Sequence, residues 1–393
     1  MKTFRKMLAG LLVIAGFALV FNGCQKDPVS EPEFQHGDII KGQYIVVFNE
    51  AIGLKMGEVL TYEGRVDYVR SQALDVMHEL SIERPEIIQV YGTAIQGFAA
   101  TMSEADAEVL QADPRIRFVE PDRYVSLGVT IKAKPAPPPP SASVPWGITR
   151  VGGGDTYTGS KKAWVIDTGI DLTHPDLNVN TALSVSFVPR VTSPNDDNGH
   201  GSHVAGTIAA INNTIGVVGV AAGAQVVAVK VLDRRGSGAY STIIAGVDYV
   251  RTTAASGDVA NMSLGGPASD ALDAAVLAAA NAGIKFALAA GNESTDASTK
   301  SPARVNHNNV FTVSAISSTD TWASFSNFGN PPVDYAAPGV SIYSTYKSGG
   351  YATLSGTSMA SPHVAGILMW GNISTDGYAI NDPDGTPDPI AHK

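Results

Sequence analysis

The sequence predicts an α/β fold with a mostly parallel central sheet in a three-layer arrangement, preceded by a small α+β module. Three observations carry this. From residue 145 to about residue 370, short apolar runs alternate with segments of helical period, the pattern of buried parallel strands joined by crossover helices. Before them, about 80 residues read β-α-β-β-α-β. Between the two lies Pro-Ala-Pro-Pro-Pro-Pro at 135–140, which neither helix nor sheet accommodates. The 393 residues are 44% hydrophobic and 16% charged, enough to bury a sizeable core, and the 40 glycines imply tight turns and close backbone approaches. With 27 Lys+Arg against 37 Asp+Glu the net charge is −10, which gives no steering toward nucleic acid or an anionic membrane. Aromatic residues at 7% disfavour a carbohydrate-binding sandwich.

At the N-terminus, Lys2, Arg5 and Lys6 precede an apolar run at 7–21, then Asn22, Gly23 and Cys24. This reads as an export signal, too short for a comfortable membrane span. Cys24 is the single cysteine, so no intrachain disulfide and no cysteine-based metal site is possible. Its place behind the apolar run resembles the acylated cysteine of bacterial lipoprotein signals. Residues 1–24 are therefore expected to be a signal peptide ending at a lipidated Cys24, with the exported chain anchored to the cell envelope. Residues 25–42, polar and carrying Pro28 and Pro32, read as a tether.

The small module is expected at 43–125. Its strands fall at 43–48, 87–91, 97–101 and 115–120, with one helix at 62–80 and another opening at the N-cap Ser103, an order that makes it ferredoxin-like. Residues 126–141 form a proline-rich linker. The main domain, 142–371, has strands at 163–166, 226–232, 259–262, 285–289 and 310–315, and helices at 203–210, 239–253, 270–282 and 357–369. The tail, 372–393, is poor in apolar residues. The carboxylates at 381–388 are spaced vaguely as in a calcium loop, but a solvated acidic end is the plainer reading.

Several polar residues fall where open parallel sheets carry their sites, beyond the strands' carboxyl ends. Asp167 ends an apolar strand, where a turn cap is the plain reading. His200 lies where a helix opens, with His203 three residues on; the pair lacks the glutamate that a hydrolytic zinc motif places between its histidines. Ser358 starts an apolar helix and by itself reads as a cap. Together they compose Asp, His and Ser in chain order. A histidine activates a serine hydroxyl near neutral pH, and a buried carboxylate orients the ring. Asn292, after Ala-Ala-Gly at the end of another strand, can donate to an oxyanion beside the Ser358 N–H at its helix N-terminus.

At this point the motifs resemble the subtilisin-like serine proteases (subtilases). They are Asp167-Thr-Gly-Ile-Asp, His200-Gly-Ser-His-Val-Ala-Gly, Ser263-Leu-Gly-Gly266, Ala290-Gly-Asn292 and Gly356-Thr-Ser-Met-Ala-Ser-Pro-His363. Phe325-Ser-Asn-Phe-Gly329 and Ala337-Pro-Gly339 are further landmarks. The resemblance implies Asp167 as orienting acid, His200 as general base, Ser358 as nucleophile, Asn292 as oxyanion donor and a structural role for His203. It implies that substrate backbone pairs along Ser237-Gly238 and Ser263-Leu264-Gly265. It also implies an apolar specificity pocket of Leu264, Gly265, Ala289, Ala290 and Gly291 with Glu293 near its mouth, suited to large uncharged side chains, and a second apolar pocket at Tyr240.

A structural Ca²⁺ is implied at Asp176, the Asn213 side chain and the carbonyls of Ile211, Ile215 and Val217, although Ala142 stands where the family carries a glutamine. The small module resembles the family's inhibitory propeptide, cut away between about residues 125 and 142. Two departures are Ser202 in place of the usual threonine and a short segment after Ser358, which leaves the outer layer differently covered. The expectation is a secreted serine endopeptidase acting on polypeptides without an organic cofactor; the alternative is a catalytically silent subtilase fold serving as a surface binding module. A lipase or esterase is disfavoured, since it would carry a Gly-x-Ser-x-Gly elbow and the order Ser, Asp, His.

Overall fold

The structure, a computed structural model, describes residues 35–49, 61–82, 85–127 and 142–393, with the backbone of 134–136. The signal segment with Cys24, most of the tether and most of the linker lie outside the described residues.

The N-terminal module follows its sequence pattern: β1 (Ile39–Phe48), α1 (Tyr62–Glu79), β2 (Glu86–Tyr91), β3 (Gly97–Thr101), α2 (Glu104–Ala112) and β4 (Ile116–Ser126). The sheet is antiparallel in the order β4-β1-β3-β2. Thr61 caps α1 through the Gly64 N–H, and Ser103 with Asp106 forms a capping box on α2. Side chains alternate along β1, so Val46 and Phe48 enter the module's own core with Val69, Phe98 and Leu110, while Ile45 and Val47 face the main domain. β1 starts at Ile39 rather than at 43, so the last residues assigned to the tether are sheet.

The main domain begins its sheet with β5 (Ala163–Asp167), followed by α3 (His200–Ala209), β6 (Gln225–Lys230), the short β7 (Ser237–Ala239), α4 (Tyr240–Thr253), β8 (Val259–Met262), α5 (Asp270–Asn281), β9 (Lys285–Ala289) and β10 (Val310–Ile316). Then come β11 (Val333–Pro338), the hairpin β12 (Ile342–Tyr346) and β13 (Gly350–Leu354), α6 (Thr357–Trp370), β14 (Ser374–Tyr378) and β15 (Pro389–His392). The large sheet has the order β14-β15-β11-β10-β9-β8-β5-β6 and is parallel from β15 to β6.

Both faces of this sheet are buried, which explains the near-continuous apolar strands. Along β5, Ala163 and Val165 join the core under α3 and α6, while Trp164 and Ile166 join the core under α4 and α5. The chain leaves β5 for its neighbour β6, then crosses back to lay β8 on the other side of β5. Asp167 therefore ends the strand at which the winding direction reverses, the place where open sheets form a crevice.

Three expectations are corrected. Helix α3 opens at His200 rather than 203. The tail is an ordered antiparallel hairpin, β14·β15, that extends the sheet beyond β11, with Ile390 and Ala379 packed on Ile316 and Ala336 and Asp388 buried against Ser314 and Asn330. Of its few apolar residues, Ala379 and Ile390 make this contact while Tyr378 and Ile380 are exposed, so composition alone makes the segment look solvated. Within the linker, residues 134–136 pair with β13 instead of running free.

Candidate active site

Asp167 and His200 form a buried pair. Asp167 is fully buried and both carboxylate oxygens lie on His200 Nδ1, at 2.8 and 2.9 Å. The Thr168 N–H donates to Asp167 Oδ1 at 2.6 Å, and the strand-end carbonyl of Asp167 accepts from the N–H groups of Val231 and Leu232. The other ring nitrogen, His200 Nε2, is buried without a hydrogen-bond partner.

The backbone around the pair is held by Asp196, which accepts from the Thr168 hydroxyl and from the N–H groups of Asn198, Gly199 and Ser202 at 2.8–2.9 Å. The Ser202 hydroxyl also donates to Asp196, at 2.7 Å. Burial raises the Asp196 pKa, which makes these donors the reason the group sits there. Gly201 is required at its place, because a Cβ would lie 2.0 Å from the Gly169 carbonyl oxygen. Lys230, fully buried at the end of β6, adds a second fastening, donating to the carbonyls of Thr168 and Leu232 and to Asp197 at 2.6, 3.0 and 2.8 Å. His203 is structural: its Nε2 faces the carbonyls of Ile342 and Ala352, and burial lowers its pKa to about 3, so it is neutral.

Ser358 lies in the first turn of α6, 4% exposed, after Gly356 at φ +153°. Its hydroxyl donates to the Ser263 carbonyl at 3.1 Å, and no hydrogen bond joins it to His200. Asn292 Oδ1 accepts from Thr357 N at 2.8 Å and from the Thr357 hydroxyl at 3.0 Å, which fixes the amide and leaves Nδ2 as its donor. A Cβ on Gly356 would lie 3.6 Å from both Nδ2 and Oδ1 of Asn292 and 3.7 Å from Ser358 N, so the Asn292 amide and the Ser358 N–H lie close to one another beside Gly356.

A cavity of about 250 Å³ adjoins Ser358 and Asn292, walled by Leu264, Gly265, Ala289, Ala290 and Gly291, with Glu293 at its edge. Several lining or supporting residues escaped the sequence reading, among them His36, Ser126 and Leu127 of the N-terminal module, which line the cavity in the uncleaved chain. Lys300 and Ala303 also line the cavity, and Asn327 props its wall, donating to the Ala290 carbonyl at 2.9 Å and to Glu293 at 2.7 Å. Asn327 lies in the Phe325–Gly329 block, where the sequence signals a landmark but no role.

The edge at Ser237-Gly238 is occupied by the chain itself. β7 pairs antiparallel with β4, Ser237 opposite Ser126 and Gly238 opposite Val125, and the Leu127 N–H continues the ladder to the Gly236 carbonyl at 3.0 Å. Val125 belongs to the same buried cluster as Tyr240 and Leu264. No strand pairs with Ser263–Gly265 among the described residues; Gly266 and Pro267 pair with Ser301 and Lys300 instead. Two carboxylates of β4 dock on helix N-termini of the main domain: Glu120 accepts from Ser269 Oγ and Asp270 N, and Asp122 from Ser241 N. From the other side, Asp248 of α4 accepts from the N–H groups of Gly92, Thr93 and Ala94.

The loop expected to hold calcium offers oxygen donors of the right kind: the Asp176 carboxylate, the Asn213 amide oxygen and the carbonyls of Ile211, Ile215 and Val217. Asp176 accepts from Asn213 Nδ2 at 2.9 Å, Val217 N at 2.9 Å and Tyr351 OH at 3.3 Å, while Asn213 Oδ1 accepts from Ile215 N at 2.7 Å. Ala142 brings no side-chain oxygen. Among the described residues no three His, Cys, Asp or Glu side chains are placed to hold a metal, so Asp176 would be the one charged ligand. The donor set fits a hard cation in kind.

Comparison with known proteins agrees with this geometry. Residues 164–369 match the Subtilase family, and residues 43–128 match Peptidase inhibitor I9. The chain is 43% identical over 303 residues to Subtilisin NAT of Bacillus subtilis subsp. natto, covering 73% of this chain and 74% of that protein. It is 38% identical to the Extracellular serine proteinase of Thermus sp. (strain Rt41A), over 92% of this chain and 90% of the relative. Against Alkaline serine exoprotease A of Vibrio alginolyticus it is 38% identical over 84% of its own length, and it spans 60% of the length of that relative. The crystal structure of a cold adapted subtilisin-like serine proteinase superposes with a TM-score of 0.55 at 39% identity, over 63% of this chain and 97% of that one. Among the described residues no helix is long and apolar enough to cross a membrane.

Proposed function

Because the chain belongs to the subtilase family of serine endopeptidases, we propose that it cleaves polypeptides with Asp167, His200 and Ser358 as its triad and Asn292 as oxyanion donor. One observation supports this above all: His200 is clamped through Nδ1 on a buried carboxylate while Nε2 is left without a partner. A ring held so is oriented by the carboxylate and presents Nε2 to receive a proton.

In the reaction Ser358 Oγ turns about its Cα–Cβ bond away from the Ser263 carbonyl, and His200 Nε2 takes its proton as Oγ attacks the scissile carbonyl carbon. The oxyanion accepts from Ser358 N and Asn292 Nδ2. The imidazolium, held by Asp167, gives the proton to the leaving amine. Water, deprotonated by the same ring, then opens the acyl-enzyme and restores the Ser358 hydroxyl.

Substrate backbone adds to β7, as β4 does in the uncleaved chain, and the apolar cavity takes a large uncharged side chain before the scissile bond. The N-terminal module (43–125) acts as an intramolecular inhibitor: its last strand fills the edge at Ser237-Gly238 and the Tyr240 pocket, and maturation cuts the chain between 125 and 142. Asp176, Asn213 and the three carbonyls hold a structural Ca²⁺ that stiffens the loop after α3. Residues 1–24 direct export and Cys24 carries a lipid anchor; the extracellular relative supports export. The test is the full chain with Ser358→Ala, expected to accumulate uncut and to leave peptide substrates intact. Unaided maturation of that variant at the parent rate would overturn the assignment.

A further inference from the structure

Resting on that peptidase reading, we propose that Lys300 is a specificity-determining residue, giving the pocket that receives the side chain before the scissile bond an acceptance of acidic residues beside large apolar ones. Away from Ser358 and Asn292, the main-domain lining of the cavity is mostly apolar or bare backbone, Leu264, Gly265, Ala289, Ala290, Gly291 and Ala303, and in the uncleaved chain His36, Ser126 and Leu127 of the N-terminal module line it as well. Lys300 is the one basic Lys or Arg side chain among its lining residues, and Glu293 the one acid.

The two charges are held unequally. Glu293 is anchored by Asn327 Nδ2 at 2.7 Å and its side chain is 38% exposed, so solvent and an amide already serve it. The Lys300 side chain is 19% exposed, and among the described residues its ammonium has one partner, Glu293 Oε1, at 3.6 Å, beyond hydrogen-bond range. A less hydrated and less satisfied cation gains more from an incoming anion than the acid beside it gains from an incoming cation.

The backbone below this ammonium is fixed. Lys300 lies opposite Pro267 in the short ladder that carries the pocket wall on from Gly265, and its carbonyl accepts from Arg304 N at 2.8 Å. A glutamate entering the pocket lays its methylenes on the alanine and leucine walls and exchanges the loose Glu293 contact for its own carboxylate on Lys300. An entering lysine meets Lys300 first and competes with it for Glu293.

The experiment uses the matured enzyme and peptide substrates identical except for Leu, Phe, Glu or Lys before the scissile bond, with the active sites titrated by a fluorophosphonate probe. The parent should cleave Glu over Lys by about tenfold in kcat/KM, the size of one partly screened charge contact. In Lys300→Met the Glu/Leu ratio should fall by about tenfold, and in Lys300→Glu the Glu/Lys preference should reverse. A Glu/Leu ratio unchanged within twofold in Lys300→Met, while Leu is still cleaved and Ser358 still labels, overturns the role of Lys300 alone. Absence of cleavage for all four peptides and of labelling in the parent overturns the peptidase reading and this proposal with it.

Discussion

Removing the Asp248 carboxylate should loosen the N-terminal module from the main domain by orders of magnitude while leaving the chemistry of the site in place. Asp248 lies fully buried on α4, and it takes the N–H groups of Gly92, Thr93 and Ala94 at 2.9, 2.7 and 2.5 Å together with the Thr93 hydroxyl at 2.9 Å. These donors belong to the turn between β2 and β3, so the contact exists only when the module is docked. A hydrogen bond to a charged acceptor contributes about 1.5–3 kcal/mol. The sum is offset by the cost of burying the carboxylate, the same cost that raises its pKa. Stranding buried donors by deleting one partner of such a set costs about 3–5 kcal/mol, or about two to three and a half orders of magnitude in affinity. The assay is inhibition of the matured enzyme by residues 35–127 added in trans, with Asp248→Ala against parent and Asp248→Asn as an intermediate that keeps one acceptor oxygen. An inhibition constant that moves by less than tenfold in Asp248→Ala, with the variant folded and active, would show that this carboxylate does not hold the module in place.

Three further outcomes are expected. Asn292→Ala should lower kcat by about 10²–10³ with little change in KM, a magnitude established on a subtilisin and borrowed here; an equal loss spread into KM would point to a binding role. Asp334, whose carboxylate accepts from Thr312 N at 2.8 Å, is pushed by burial from 3.8 up to about 6. A folded value above the unfolded one favours the fold below about pH 4 and loses that contribution as pH rises through 6. Asp334→Asn should therefore flatten the Tm profile between pH 4 and 6 and gain at most about 3 kcal/mol at pH 7, whereas a parental slope would contradict this. Chelation should lower Tm by about 5–10 °C if calcium sits at a hundredfold its Kd, and Asn213→Ala should abolish the shift; an unchanged melt with no metal by elemental analysis would reject the site.

The fold was legible where both faces of an element are buried, because the sequence then has no freedom. Ala163, Trp164, Val165 and Ile166 are apolar in succession since successive side chains enter different cores. Asp167, His200, Ser358 and Asn292 stand out because each is a polar group at a strand or helix end inside a distinctive block. What escaped were groups whose role comes from a neighbour far along the chain. Lys300 matters through Glu293, Lys230 through Thr168 and Asp197, and Asn327 through Ala290 and Glu293, none of which periodicity reports. The C-terminal hairpin was hidden for a related reason: it borrows its apolar partners Ile316 and Ala336 from strands of the main sheet.

The most direct measurement of the central claim is mass-spectrometric mapping of a fluorophosphonate adduct on the matured enzyme. The adduct is expected on Ser358, and its formation should depend on the ring of His200, so labelling should collapse in His200→Ala. Modification of another serine, or equal labelling at Ser358 with the imidazole removed, would contradict it.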